Sequence, residues 1–165
     1  MNCADAIRQR RSVRKYSSRE IPEKDIIAMI DAGIWAPSGL NNQPWKFKII
    51  SDKGTKASIE KFTKYSHIIK SAEVLICVFL DKKQIYNRDK DLMAVGACIQ
   101  NMLLKAYSLG IGTCWLGEIL NQKEALCAHL NIEDDLELAA VISLGYPAEK
   151  KESGQRKKIS EFVLE

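Results

Sequence analysis

The sequence predicts a mixed α and β fold in which a buried sheet carries helices on both faces. Three observations predict it. Residues 74–80 (VLICVFL) form a continuous apolar run of strand length, the pattern of a strand buried on both sides. Residues 92–104 contain no charged side chain and place apolar groups on every helical face. A helix there is expected to be buried on all sides, against protein, since the run is too short to span a bilayer. Strand-like and helix-like segments also alternate along the chain with no linker between them. The 165 residues suffice for one domain, 1–165, with a sizeable core.

In order, residues 4–11 read as a short helix leading into the basic segment 10–16 (RRSVRKY). Pro22 opens the next helix where a missing N–H does no harm, and Glu23 and Asp25 suit its positive end. Ile26, Ile27, Ile30 and Ile34 give it one apolar face. It should stop near Trp35 and Ala36, because the residue before Pro37 is pushed out of helical geometry. Residues 38–43 (SGLNNQ) form a loop closed by Pro44, followed by a strand at 47–50 and an amphipathic helix at 56–64. After the strand at 74–80 comes the central helix. In it, Gly96 and Ala97 would let another backbone approach closely, and Gln100 and Asn101 are the polar groups able to set its register. Part of this surface is alternatively free to meet a second subunit. Gly110 and Gly112 end the helix. A strand at 113–116 follows, then a helix at 122–130 with Asn121 as N-cap and Glu124 three residues on. A buried strand at 138–144 ends in the turn 145–147, and the tail is polar and basic up to an apolar stretch at 159–164.

Charge and cysteine usage narrow the function. A net charge of +4 is too mild to imply nucleic acid, but it is concentrated at the chain ends. Arg8, Arg10, Arg11, Arg14, Lys15 and Arg19 crowd one; Lys150, Lys151, Arg156, Lys157 and Lys158 crowd the other. The five cysteines, Cys3, Cys77, Cys98, Cys114 and Cys127, form no CxxC pair, and four lie in apolar runs. Free thiols in a reducing compartment are expected. Residues 1–19 contain no hydrophobic stretch, so the expected location is cytoplasmic.

Familiar catalytic constellations are missing. His67 and His129 sit in no metal-ligand spacing and read as surface or capping residues, so no metal site is expected. There is no GxSxG and no GxxxxGK. Gly110-Ile111-Gly112 follows a helix and precedes a strand, the reverse of the order a Rossmann site needs. With so few acids, bases and nucleophiles, any chemistry is expected to belong to a bound cofactor.

Two segments suit such a ligand. Arg10, Arg11, Ser12 and Arg14 place three guanidinium forks and a hydroxyl within five residues, and Arg10, Ser12 and Arg14 share one side of an extended chain. That set suits a phosphate. A solvated basic patch is the plainer reading, and nucleic acid a third, opposed by the lack of interleaved aromatics other than Tyr16. The loop between Pro37 and Pro44 presents Ser38, Asn41, Asn42 and Gln43, uncharged groups that match the imide edge of a flat heteroaromatic ring. A tight surface loop anchored by Trp35 and Trp45 is the alternative.

Four blocks together resemble the FMN-dependent nitroreductase family: RRSVRKY at 10–16, WAPSGLNNQPWKF at 35–47, GACIQNMLLKAYSLGIGTCWLG at 96–117 and SLGYPAE at 143–149. The resemblance extends over nearly the whole chain. It implies an α+β fold with a mostly antiparallel central sheet flanked by helices, and a homodimer with two FMN sites at its interface. It implies an oxidoreductase that uses NADH or NADPH to reduce nitroaromatics, quinones or related small acceptors by ping-pong hydride transfer. No catalytic side chain is implied, the chemistry residing at flavin N5, and neither nucleic acid nor membrane is an expected partner. Residue by residue, Arg10, Arg11, Ser12 and Arg14 match the segment that holds the FMN phosphate and the pyrimidine side of the ring. Pro37, Ser38, Gly39, Asn41 and Gln43 match a loop contributed by the other subunit. Trp115, Leu116 and Gly117 match the strand end near N5, and Arg156 matches a tail position returning to the phosphate. Family members place an asparagine near the ring before the second strand, where this chain has residues 61–64. Reductive dehalogenation, flavin fragmentation and non-enzymatic flavin binding are the alternatives on the same fold.

Overall fold

The computed structural model describes residues 2–149 and 154–164, so Lys150 and Lys151 of the C-terminal basic cluster lie outside the described residues. Four strands form one antiparallel sheet: β1 (Trp45–Ile50), β2 (Val74–Asp81), β3 (Gly112–Leu116) and β4 (Leu136–Gly145), in the order β1-β2-β4-β3. The helices are α1 (Cys3–Gln9), α2 (Glu23–Ile34), α3 (Lys53–Ile59), α4 (Ser66–Ser71), α5 (Arg88–Ser108) and α6 (Lys123–His129).

β2 is buried along its whole length, as its unbroken apolar run requires, and its side chains serve two cores in alternation. Ile76, Val78 and Leu80, joined by Ile142 and Leu144 of β4, pack with Met29 of α2 and Cys98, Ile99 and Met102 of α5. Leu75, Cys77 and Phe79 face Ile59, Phe62, Ile68, Ile69 and Leu126 on the other side. α2 and α5 approach so closely that a Cβ on Gly33 would lie 2.7 Å from Met102 Cγ. None of the helices among the described residues is long and apolar enough to cross a membrane.

Three sequence expectations are corrected. α5 is not buried on all sides: Met93 is 74% exposed, Gln100 is exposed, and a Cβ on Gly96 would meet none of the described residues within 4 Å. α2 and the sheet each cover one flank, which leaves a third face open that an apolar composition cannot reveal. Asn121 does not cap α6. It lies inside a 3-10 turn, Glu118–Gln122, and the helix starts at Lys123 without a side-chain cap. The helix expected at 56–64 is α3, which ends at Ile59 and tightens into the 3-10 turn Glu60–Phe62. α4 had no expectation; at six residues it is too short to show a period.

Candidate cofactor site

The first part of the site is built where α1 ends. Asn2 caps α1 by accepting from Asp5 N–H, and Arg10 closes it with its N–H on the Ala6 carbonyl. The chain then runs extended along the outer edge of β3, where Ser12 bridges Thr113 and Val13 N–H donates to the Thr113 carbonyl at 2.8 Å. Val13 and Tyr16 turn into the core. The Tyr16 hydroxyl donates to the Val13 carbonyl (2.6 Å) and lies 2.8 Å from Ser143 Oγ, and burial raises its pKa. Burying Val13 leaves Ser12 and Arg14 exposed on the opposite side, as their alternation requires.

The two basic ends of the chain meet here. Burial lowers the pKa of Arg10, and the charges of Arg156 and Arg11 lower it further. Gly154 packs on Arg11 so tightly that a Cβ there would sit 2.4 Å from Arg11 Nε. Arg11 Nη1 is used on the Arg8 and Arg10 carbonyls (2.7 and 2.8 Å), yet the Nε atoms of Arg10 and Arg11 are both buried with no acceptor among the described residues. Among the described residues no carboxylate forms a salt bridge with Arg10, Arg11, Arg14 or Arg156. Like charges gathered with unmet donors are unfavourable until an anion joins them. Burial raises the pKa of the neighbouring Cys114 thiol, opposed by the charges of Arg14 and Arg10.

The end of β3 forms the second part. Thr113 turns its backbone outward to Val13, so alternation turns Trp115 outward as well and Leu116 back toward β4. Leu116 is buried, the Trp115 side chain is 42% exposed, and a Cβ on Gly117 would meet nothing within 4 Å. The next residue, Glu118, accepts from Thr63 Oγ1 (2.6 Å) and Lys64 N–H (3.0 Å), which hold its carboxyl below its ordinary pKa. Residues 61–64, which had no role in the sequence reading, are thereby fastened beside the strand end. No local signal could reveal that contact, because its partners lie more than fifty positions apart.

The third part stands elsewhere. Leu40, Asn41 and Gln43 all have left-handed backbones, with φ of 54°, 54° and 48°. Such conformations cost roughly 1 kcal/mol or more in a non-glycine residue and concentrate at ligand-binding loops. Ser38 Oγ accepts from Gln43 N–H at 3.0 Å, and Gln43 Nε2 donates to the Asn41 carbonyl at 3.2 Å. Pro37, Asn41 and Gln43 are exposed, while Ser38 and Gly39 are half-buried.

α5 measures how far this loop lies from the arginines. Asn42 bonds Asp91 in the first turns of α5, whereas Gln9, beside Arg10, accepts from the Tyr107 hydroxyl near its far end. Positions 91 and 107 are sixteen residues, or about 24 Å, apart on a helix. The structure therefore brings Arg10, Arg11, Ser12, Arg14 and Arg156 together next to β3, and it keeps Pro37, Ser38, Gly39, Asn41 and Gln43 of the same chain away from them.

Comparisons with known proteins identify the family. The description "Nitroreductase family" matches residues 7–67 and 56–146. A solved structure of a provisionally named nitroreductase from Desulfovibrio desulfuricans, in complex with FMN, is 42% identical; the match covers 100% of this chain and 96% of that one with a TM-score of 0.96. A protein of Archaeoglobus fulgidus, provisionally named NADH dehydrogenase/NAD(P)H nitroreductase, is 34% identical over 153 residues, 91% of this chain and 88% of its own. An iodotyrosine deiodinase of Thermotoga neapolitana is 26% identical, over 94% of each chain.

Proposed function

The chain belongs to the nitroreductase family, and from that premise we propose that it is an FMN-dependent oxidoreductase using NADH or NADPH to reduce nitroaromatic, quinone or related small acceptors. The observation that carries this reading is the pair of buried Nε donors on Arg10 and Arg11, which cluster with Arg156 and meet neither an acceptor nor a carboxylate among the described residues. That donor set suits a phosphate dianion. When bound, FMN supplies the redox chemistry, accepting a hydride from the nicotinamide and yielding it to the acceptor in a second half-reaction.

The chain's own residues bind, orient and bias. Arg10, Arg11 and Arg156 would hold the phosphate, with the Ser12 hydroxyl as a neutral donor. Arg14 would place a fixed positive charge beside the ring, favouring its more negative, reduced state. The outward backbone of Trp115 and the open flank of Gly117 would let the strand end approach the ring with N–H groups rather than side chains. Ser38, Asn41 and Gln43, on the loop bounded by Pro37 and Pro44 with Gly39 inside it, would offer hydrogen bonds from the partner subunit. The length of α5, which holds that loop away from the arginines of its own chain, supports a homodimer in which the loop serves the partner. The open face of α5, with Met93, Gly96 and Gln100, is the surface available for such a contact. We further propose that residues 1–165 act as one FMN-binding domain in the cytoplasm, where five unpaired thiols are stable.

The test is the visible spectrum of the purified protein under anaerobic conditions. Flavin absorption should be present or restored by FMN, bleach on adding NADH or NADPH, and return on adding a quinone or nitroaromatic. A protein that takes up no FMN overturns the reading. Halide release from a halogenated phenol, without nitroaromatic or quinone reduction, would instead favour reductive dehalogenation, in keeping with the deiodinase relative.

A further inference from the structure

Asp91 is fully buried near the start of α5, yet what it holds is a pair of surface segments. One of its oxygens accepts from Asn42 Nδ2 at 2.8 Å; the other accepts from the backbone N–H groups of Tyr86 and Asn87, at 3.0 and 3.1 Å. The second amide hydrogen of Asn42 reaches the Gln84 carbonyl at 2.9 Å. Gly39 rests against the Tyr86 ring, where a Cβ would come within 2.2 Å of the ring carbon. The loop 38–43 is thus pinned from below at two points. Leu40, Asn41 and Gln43 keep their strained backbones above these pins, and Leu40 is 86% exposed. A buried carboxylate is expensive unless fully hydrogen-bonded, and a strained loop persists only where its surroundings over-determine it. Here the first expense maintains the second.

We infer that Asp91 is a positioning residue that acts in trans: it sets the loop 38–43 in the shape with which that loop completes the cofactor site of a second copy of the chain. The inference rests on the shared-site reading given above. Asp91 lies about 24 Å along α5 from Tyr107, the residue that contacts the arginine end of its own chain. The loop it shapes therefore serves the partner. Asn42 belongs to the device as its inward link, while Asn41 and Gln43 face outward.

The experiment uses two single variants, Asp91→Asn and Asn42→Ala, and one mixed dimer that includes an Arg10→Ala chain. Asp91→Asn keeps the size of the side chain but sets one amide donor against another at Asn42. Asn42→Ala removes the link and leaves Asp91 its two backbone donors, so the fold survives even if Asp91→Asn impairs it. Each variant should bind FMN about tenfold more weakly or worse while remaining a folded dimer. An Asp91→Asn chain is then co-expressed with an Arg10→Ala chain and the mixed dimer isolated through two tags. It should regain one tight FMN site, formed by the intact arginines of one chain and the intact loop of the other, which neither homodimeric variant possesses. If wild type is a dimer that binds FMN but the mixed dimer regains no tight site, or the single variants bind FMN like wild type, the inference fails alone. A wild-type chain that binds no FMN, or sediments as a monomer, overturns the shared-site reading and the inference with it.

Discussion

Burial and, after it, the charge of Arg156 lower the pKa of Arg10, although the two arginines lie at opposite ends of the chain. Two cations that oppose each other, beside the unmet Nε donors of Arg10 and Arg11, make the free protein locally unfavourable and give an anion its affinity. Arg10→Ala should therefore weaken FMN binding by about ten- to a hundredfold, the worth of a charge-assisted hydrogen bond, while the melting temperature of the FMN-free protein stays level or rises. Fluorescence titration and thermal melts check both halves. Unchanged FMN affinity would remove Arg10 from the site.

Gly96→Leu separates packing within the protomer from packing between protomers. Among the described residues nothing lies within 4 Å of a Cβ at Gly96, which opposes overpacking inside the chain, the expectation from an all-round buried helix. The variant should keep its circular dichroism and thermal transition as a protomer but sediment as a monomer and lose FMN. A fully loaded dimer would mean that the outer face of α5 makes no subunit contact.

Gly33→Ala tests the opposite case. Its Cβ would lie 2.7 Å from Met102 Cγ and 3.0 Å from Cys98 Sγ. Overpacking costs about 1–3 kcal/mol, against a gain in helix propensity of about 1 kcal/mol for replacing glycine. The packing term is the larger, so a net loss of up to about 2 kcal/mol is expected. Urea unfolding reads it directly; a gain in stability would show that α2 and α5 can part without cost.

Glu137 should make the fold sensitive to acid. The Arg88 guanidinium, bonded at 2.7 and 3.1 Å, and Lys123 at 2.9 Å, hold its carboxyl down to about 2 from an ordinary 4.5. A depressed folded-state pKa stabilises above the unfolded value, and that stability is lost as pH falls from 4.5 toward 2. For a pair open to solvent screening the contribution is about 1–2 kcal/mol. Glu137→Gln should thus lower stability at neutral pH and match wild type near pH 2. A difference independent of pH would assign the effect to packing.

The elements were legible where the signal is local. The apolar run of β2, the glycines after α5, Pro22 at the start of α2 and Pro37 just past its end mark their elements through period and backbone sterics, which act over a few residues. The clustered arginines of residues 10–14 and the loop 38–43 were visible for the same reason, since each is a contiguous string. Asn121 misled because a 3-10 turn draws on the same residue types as a helix cap.

Which of these strings meet is settled by the packing of the whole chain. The strand order β1-β2-β4-β3 places β3 at the edge where residues 10–14 and the tail converge, and the length of α5 holds the loop 38–43 away from them. Thr63 and Lys64 on Glu118, Asn42 on Asp91, and the bare flank at Gly96 depend on the same arrangement. The elements and the chemistry each carries could be read from the sequence, because sterics and hydrophobic period are written into neighbouring residues. The sequence could not determine distance between strings, because that is set by how all the elements pack together at once.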